Sequence, residues 1–295
     1  CSRTRQEDQG HARVIPVALA STSAVAYGIS DYLGGVASRR ARALRVVSVS
    51  YPLSIVLVGA AAVVAGGAPT LIGVAWGLGS GLVSGIAVWT FYVALSQGPM
   101  SVISPITAVL AAAVPLAVGL AAGERPGTGA LVGMAVALVA TVLVSLESEQ
   151  GSSIGHGRLT PRLGALTVVS GLAFAGFFVL LAQVPPGEGL WPVAASRIGA
   201  TVVVLAAAVA ARESFRFSRQ LIAVGLVIAL FDAIANSAFY FASQAGMLSL
   251  VSVIAALYPA FTVALAITHG GERLRAVQLV GIVLAGVAIT LLALG

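Results

Sequence analysis

One stretch of this sequence, from Val46 to Gly123, runs for 78 residues without a charged side chain. A membrane-spanning helix needs about 20 mostly apolar residues, and at about 1.5 Å of rise per residue this stretch is several bilayer thicknesses long. It must therefore fold back on itself. Gly- and Pro-containing clusters at 66–70 and 97–99 mark the turns. The stretch predicts several consecutive membrane helices.

The composition of the whole chain agrees with this prediction. Hydrophobic residues make up 59% of the 295 residues and charged residues only 9%, which leaves too little polar surface for a water-facing globule. This excludes a soluble enzyme, a nucleic-acid-binding module and a disordered protein. The net charge of +6 comes from arginine, since the chain has no lysine, and indicates membrane-flanking charge. The single cysteine, Cys1, excludes internal disulfides and a thiol-ligated metal.

The same criteria applied to the whole chain predict an all-α integral membrane protein with ten transmembrane helices. The predicted segments are 14–36, 44–65, 71–96, 101–122, 127–146, 163–184, 190–211, 220–244, 248–269 and 275–294. Residues 1–13 form an N-terminal tail and 147–162 a polar linker, which separates a first half (14–146) from a second half (163–295). We expect the first segment to span the membrane rather than to be a cleaved signal peptide, because its apolar stretch before a cleavage-like sequence is too short.

Arginines are unevenly divided between the two sides of the predicted bundle. If all ten segments span, the side of the N-terminus carries four arginines and the opposite side eleven. The positive-inside rule then places the arginine-rich side in the cytoplasm and both termini outside.

An internal repeat appears at a fixed offset of 148 residues. Residues 91–146 and 239–294 share 20 identities in 56 aligned positions, including a Gly-Glu-Arg at a helix end (123–125 and 271–273). The chain therefore divides into two five-helix repeats. Because five is odd, the second repeat enters the membrane from the opposite face, so the repeats are inverted. Secondary transporters use inverted repeats, with the substrate site near the midplane.

The repeated pattern resembles the drug/metabolite transporter superfamily in its EamA-like ten-helix form. The pattern is aromatic–x–x–Ala … Gly … Gly-Glu-Arg … Gly, from Tyr92 to Gly133 and from Tyr240 to Gly281, and Tyr27-Gly28 stands where the family often has Trp-Gly. The resemblance implies export or exchange of a small metabolite through a cavity between helices three, four, eight and nine. It also implies cytoplasmic termini, opposite to the arginine count. Pro259 keeps the family's spacing to its Glu, whereas the first half has Ala111 at the matching position and is expected to kink elsewhere.

Ionisable side chains at membrane depth are costly and are candidates for function. Asp232 lies in the middle of segment eight and shares a helix face with Asn236 and Tyr240. This stripe suits a water-lined cavity in which Asp232 takes and releases a proton. The alternative is a structural hydrogen bond between Asp232 and another helix.

Other candidates carry two interpretations each. Asp31, with Tyr27 one helical turn away, is either a cavity residue or a solvated acid at the membrane surface. Arg197 either snorkels to the interface or makes a salt bridge to an embedded Asp or to a substrate carboxylate. Trp89, Tyr92, Tyr240 and Tyr258 either line a pocket for an apolar substrate or pack against helices and lipid.

Further patterns predict structure rather than chemistry. Glycines recur every four residues from Gly73 to Gly85 and indicate close packing of segment three on another helix. Glu124 and Glu272, each beside an Arg, are expected to make charge pairs at the membrane surface. The three histidines are too scattered for an intramembrane metal site or catalytic dyad, and without lysine no nucleotide-binding P-loop exists.

We therefore expect a secondary transporter of a small metabolite or drug-like molecule in the plasma or inner cell membrane, coupled to protons through Asp232. It is expected to need no cofactor, catalytic residue, metal or nucleic acid, and to be a monomer or weak homo-oligomer in the lipid bilayer. The alternatives are an uncoupled facilitator, an intramembrane enzyme and a non-transporting scaffold.

Overall fold

The computed structural model of the protein describes residues 2–146, 160–270 and 275–295. The described chain is helical, with short connections between eleven helices. Their bounds are α1 Ser2–Ser38, α2 Ala43–Ala65, α3 Leu71–Leu95, α4 Met100–Ala121, α5 Thr128–Ser145, α6 Pro161–Ala182, α7 Trp191–Ala210, α8 Arg219–Ala245, α9 Leu248–Ala255, α10 Tyr258–Gly270 and α11 Ala276–Leu294.

Ten segments of the described chain have the length and apolar composition needed to cross a membrane. They confirm the ten predicted segments, with ends that differ by a few residues at most; the span of α1, for example, is Val14–Ser38. The α1 helix itself begins before this span, at Ser2. Most of the predicted linker, and Glu272 with Arg273, lie outside the described residues.

The ninth predicted segment is divided into α9 and α10, which together form one span, Leu248–His269. Around the division the backbone hydrogen bonds span three residues instead of the four of an α-helix. The N–H of Leu257 donates to the carbonyl of Ile254 at 3.0 Å, and the N–H of Ala260 donates to the carbonyl of Leu257 at 3.0 Å. Pro259 has no N–H to continue the regular ladder, which explains why the helix is interrupted here. In contrast, α4 is a single helix although it contains Pro105 and Pro115.

Local sequence explains the ends of several helices. The hydroxyl of Thr70 accepts from the backbone N–H of Gly73 at the start of α3, and Thr160 and Ser218 cap α6 and α8 in the same way. Gly66 ends α2 at a φ of 75°, a conformation that glycine adopts without strain. Helices α2 and α3 are separated at 66–70 and α3 and α4 at 96–99, which confirms the turns predicted at 66–70 and 97–99.

The glycine stripe of α3 packs against α7, as the sequence predicts. A Cβ atom added at Gly77 would overlap the carbonyl of Pro192, and one added at Gly81 would overlap the carbonyl of Ser196. The contact is reciprocal, because a Cβ at Gly199 of α7 would lie 2.6 Å from the carbonyl of Leu78. Such close approach of two backbones requires small residues on both helices.

The other helix contacts follow a regular scheme. Besides α7, α3 packs on α6, and α8 packs on both α1 and α2. The α4 helix packs on α6, α10 packs on α1, and α5 packs on α11.

The connections of the bundle gather at two opposite faces. We call face A the one with loops 66–70, 122–127, 183–190 and 246–247 and with the end of α11, and face B the one with loops 39–42, 96–99 and 211–218. Face B is the predicted arginine-rich side. Contacts between loops support this division: a Cβ at Gly67 would lie 2.8 Å from the carbonyl of Glu188 on face A, whereas Arg42 binds Glu213 on face B.

Candidate functional site

The centre of the candidate site is a buried ion pair between α7 and α8. Nη1 of Arg197 lies 3.1 Å from Oδ2 and 3.2 Å from Oδ1 of Asp232. Arg197 is 2% exposed and Asp232 is 8% exposed. Arg197 therefore does not snorkel to the interface. Of the interpretations that the sequence left open for this residue, the geometry matches the salt bridge to an embedded Asp.

Two more donors hold the carboxylate of Asp232. The hydroxyl of Ser54, from α2, donates to Oδ2 at 2.8 Å, and Nδ2 of Asn236 donates to Oδ1 at 3.1 Å. Asn236 also donates to the backbone carbonyl of Asp232 at 2.6 Å, which fixes its side chain one helical turn along α8. Asp232 is therefore embedded in donors that satisfy its charge, as a buried carboxylate requires.

The network continues into α1 through Tyr27. The hydroxyl of Tyr27 donates to Oδ1 of Asn236 at 2.9 Å. One turn earlier on α1, the hydroxyl of Ser23 donates to the backbone carbonyl of Ala235 at 2.8 Å. These bonds fix the rotation of α1 against α8.

Aromatic rings enclose the guanidinium of Arg197. Its Cζ atom lies 5.7 Å from the ring centre of Tyr51 and 5.8 Å from that of Phe177. A cation over an aromatic face is stabilised by the ring quadrupole, the more so away from water. The Nε atom of Arg197 is buried and has no hydrogen-bond partner within the described chain. Charge pairing and aromatic faces thus replace part of the hydration that Arg197 lacks.

The stripe predicted on α8 is buried rather than water-lined. Asn236 and Tyr240 are each 1% exposed, and the Arg197 guanidinium lies beside Asp232. Tyr240 lies one turn further towards face A, where it lines a shallow depression with Gly66 and Gly187. The structure therefore brings Asp232, Asn236, Arg197 and Tyr27 together and leaves Tyr240 outside their network.

The remaining candidates divide between the interior and the outer surface. Tyr258 packs edge-on against Tyr27 with ring centres 6.2 Å apart, and Tyr92 packs in a cluster with Tyr51. Trp89 is 44% exposed on the same outward stripe of α3 as Leu82 and Ile86, so it faces the lipid side. Asp31 is exposed although it lies on the inner side of α1.

Sequence reasoning missed three residues of this centre: Tyr51, Ser54 and Phe177. Similar residues stand beside them in the same helices, Ser48 and Ser50 in α2 and Phe174 and Phe178 in α6, and such residues more often bond to their own helix or pack in the core. Only the rotation of α2 and α6 turns them towards Arg197 and Asp232. The cavity implied by family resemblance involves helices three, four, eight and nine, whereas this network is built by α1, α2, α7 and α8.

Two glutamates at face A bind helix N-termini. The Glu124 carboxylate accepts from the N–H groups of Leu248 and Ser249 at 2.6 and 2.9 Å, at the start of α9. It caps a helix, which differs from the expected charge pair and follows from the positive end of the helix dipole. Glu188, which sequence reasoning also missed, is 2% exposed and accepts from the hydroxyl of Thr70 at 2.5 Å, at the start of α3.

Comparisons with known proteins establish the fold and no more. No family model matches the chain, and no curated protein matches it. A solved structure described only as "Crystal structure of protein" has a TM-score of 0.73 to this protein over 94% of this chain and 95% of the other, at 14% sequence identity. The chain therefore shares the fold of a solved helical protein over nearly its whole length.

Proposed function

We propose that this protein is a secondary transporter of a small metabolite or drug-like molecule that works by alternating access. The observation that carries the proposal is the buried network around Asp232. It joins Tyr27 and Ser54 of the first half to Arg197, Asp232 and Asn236 of the second half. Ionisable groups at membrane depth are expensive and mark substrate or ion pathways, and a network that bridges two halves changes when the halves move.

The helix contacts support an inverted repeat. If α1 to α5 correspond in order to α6, α7, α8, the α9–α10 pair and α11, each main contact has a counterpart. The contacts of α3 with α7 and α6 correspond to those of α8 with α2 and α1, and the contact of α4 with α6 corresponds to that of α10 with α1. In the contacts α2–α7, α4–α9 and α5–α11 each helix packs against its own counterpart in the other half, so exchange of the halves leaves these contacts unchanged. A pseudo-two-fold axis between the halves produces this scheme.

The two faces of the bundle support a conformation that is open on one side. Face A is closed by buried loop contacts, such as that between Glu188 and Thr70, whereas Asp31 is exposed towards face B. The positive-inside rule assigns face B to the cytoplasm and both termini to the outside. A fluorescent reporter fused after Gly295 tests this: it stays dark in our topology, and fluorescence confined to the cytoplasm supports the opposite, family-like topology.

Asp232 is the proposed coupling group. Its oxygens accept from Arg197, Ser54 and Asn236, so a proton binds only when at least one of these donors withdraws. Protonation of Asp232 is thereby tied to the separation of α7 or α2 from α8. An uncoupled facilitator uses the same network only as a structural link.

The experiment uses proteoliposomes loaded with a cell metabolite extract, because such a mixture offers the protein many candidate substrates at once. We expect mass spectrometry to detect at least one compound that leaves protein-containing vesicles faster than empty ones, with a rate that depends on pH. Asp232→Asn removes the pH dependence, while Glu213→Gln, the same chemical change in a loop of face B, keeps it. A rate in Asp232→Asn with unchanged pH dependence contradicts proton coupling, and a lack of any protein-dependent flux favours an enzyme or scaffold.

A further inference from the structure

Three carboxylic or basic side chains of the described chain lie within the spans away from the helix ends: Asp31, Arg197 and Asp232. Arg197 and Asp232 neutralise each other in their ion pair. The membrane interior of the described protein therefore holds one carboxyl group, that of Asp31, without a basic partner. A lone carboxylate at this depth requires water or a cation beside it.

Asp31 lies on the side of α1 that faces the protein. It shares a helix face with Ala20 and Ala24, which are both 0% exposed, and it lies opposite the exposed Thr22. Asp31 is nevertheless exposed. The helices must therefore separate at its level, so that the inner stripe of α1 borders an opening rather than a packed neighbour.

The inner stripe of α1 stays uncovered from Asp31 towards face B. Asp31 lies seven residues before the end of α1 at Ser38, which is roughly 10 Å along the helix. Beyond it, a Cβ atom added at Gly34 or Gly35 would meet nothing within 4 Å. The side of α1 between Asp31 and face B is thus free of close neighbours at both glycines.

Tyrosines from three helices lie in the neighbourhood of Asp31. Tyr27 lies one turn deeper on α1 and contacts the ring of Tyr258 from α10. The electrostatic field of Asp31 reaches the hydroxyls of Tyr92 on α3 and Tyr258 on α10. Tyrosine rings attract cations through their faces and pack against apolar groups.

The other charges near Asp31 do not balance it. Asp232 of α8 acts on Asp31 with the same sign, and Tyr51 of α2 is uncharged at neutral pH. The guanidinium of Arg197 is directed to Asp232 and stacked between two rings. A cation that reaches Asp31 therefore has no positively charged side chain of the described interior to compete with it.

We infer that this opening is a binding site for an organic monocation, an ammonium compound with an apolar or aromatic body. The ammonium group binds the carboxylate of Asp31, and the body packs against Tyr92 and Tyr258. The inference rests on the proposed transport function and gives its substrate class. Anions are disfavoured because their charge has the same sign as the carboxylate of Asp31.

The test is thermal unfolding of the purified protein in detergent with tryptamine, with tetraethylammonium and with indole-3-propionate, an anion whose indole ring matches that of tryptamine. We expect at least one of the two cations to raise the melting temperature, since a ligand stabilises the state that binds it, and the anion to leave it unchanged. Asp31→Asn should weaken cation binding by about tenfold or more, the loss of one charge-assisted hydrogen bond. Asp31→Glu should restore most of the binding, and Glu213→Gln should have no effect.

The inference is overturned if neither cation stabilises the protein, if Asp31→Asn binds cations as well as the native protein, or if indole-3-propionate stabilises equally. Its failure is distinguishable from that of the transport proposal. If vesicles show flux of anionic or neutral compounds that Asp31→Asn does not affect, the proposed substrate class is refuted and the proposed transport function is supported. If cations bind in a way that depends on Asp31 but no compound crosses the vesicle membrane, the binding site is supported and the transport function is refuted.

Discussion

The two halves of the chain use corresponding helices in different ways. In the second half, α8 carries Asp232 and Asn236 and builds the buried network. At the repeat-equivalent positions, α3 of the first half has Ser84 and Val88, and its inner face is a glycine stripe against α7. A duplicated helix can thus keep its place in the bundle while its side chains diverge from close packing to charge chemistry.

The same contrast appears in the next pair of helices and in the loops. The α4 helix is unbroken, whereas its counterpart is divided into α9 and α10 beside Pro259. On face A the loop contact is the buried Glu188 with Thr70, whereas on face B it is the pair of Arg42, with a side chain 76% exposed, and Glu213, with a side chain 9% exposed. Both differences lie in interactions that the helix scheme alone does not fix.

The strongest test of this comparison breaks the ion pair of the second half. Arg197→Met leaves Asp232 buried without its cation, and we expect a loss of about 3–5 kcal/mol in the free energy of unfolding. The double variant Arg197→Met with Asp232→Leu should recover most of this loss, because no unpaired charge remains. Thermal unfolding in detergent measures the stability of both variants. A double variant as unstable as Arg197→Met would contradict the assignment of Arg197 and Asp232 as a buried ion pair.

The glycine stripe of the first half gives the next largest expected effect. Gly81→Val places side-chain atoms where the carbonyl of Ser196 lies, so α3 and α7 must separate at a cost of about 1–3 kcal/mol. Gly79→Ala on the same helix is the control, since its Cβ meets nothing within 4 Å and alanine favours the helix. Equal melting temperatures for Gly81→Val and the native protein would show that this contact is not close.

The division between α9 and α10 can be tested at Pro259. Pro259→Ala supplies the missing N–H, and one regained hydrogen bond should raise the free energy of unfolding by about 0.5–1.5 kcal/mol. We also expect slower transport into or out of vesicles, because a continuous helix bends less easily than one divided between α9 and α10. Pro115→Ala in the unbroken α4 is the control for flux, and an equal decrease in both variants would argue against a special role of the division.

The smallest effect is expected at face B. The side chain of Arg42 is 76% exposed in its pair with Glu213, so Arg42→Ala should lower the free energy of unfolding by only about 0.2–1 kcal/mol. High salt should remove the difference, because exposed charges are screened. Arg40→Ala controls for the loss of a positive charge in the same loop, and a much larger effect of Arg42→Ala would mean that this contact holds the bundle together.

The sequence predicted the ten spans, the turns at 66–70 and 97–99 and the packing role of Gly77 and Gly81, because these features depend on local composition. It also selected Asp232, Asn236, Arg197 and Tyr27, since polar residues are rare within apolar helices. It did not predict Ser54, Tyr51 or Phe177 as their neighbours. It left open whether Trp89 lines a pocket or faces lipid. It did not predict that Glu188 is buried at the start of α3, since a loop carboxylate usually remains in water.

Hydropathy along the chain determined which segments enter the membrane, because the cost of burying each residue there is a property of that residue and its near neighbours. Which side chains meet was decided only by the tertiary structure. The partners Arg197 and Asp232 come from different helices, and their contact depends on the rotation and depth of both. The same packing pairs one embedded carboxylate, Asp232, and leaves the other, Asp31, open towards face B.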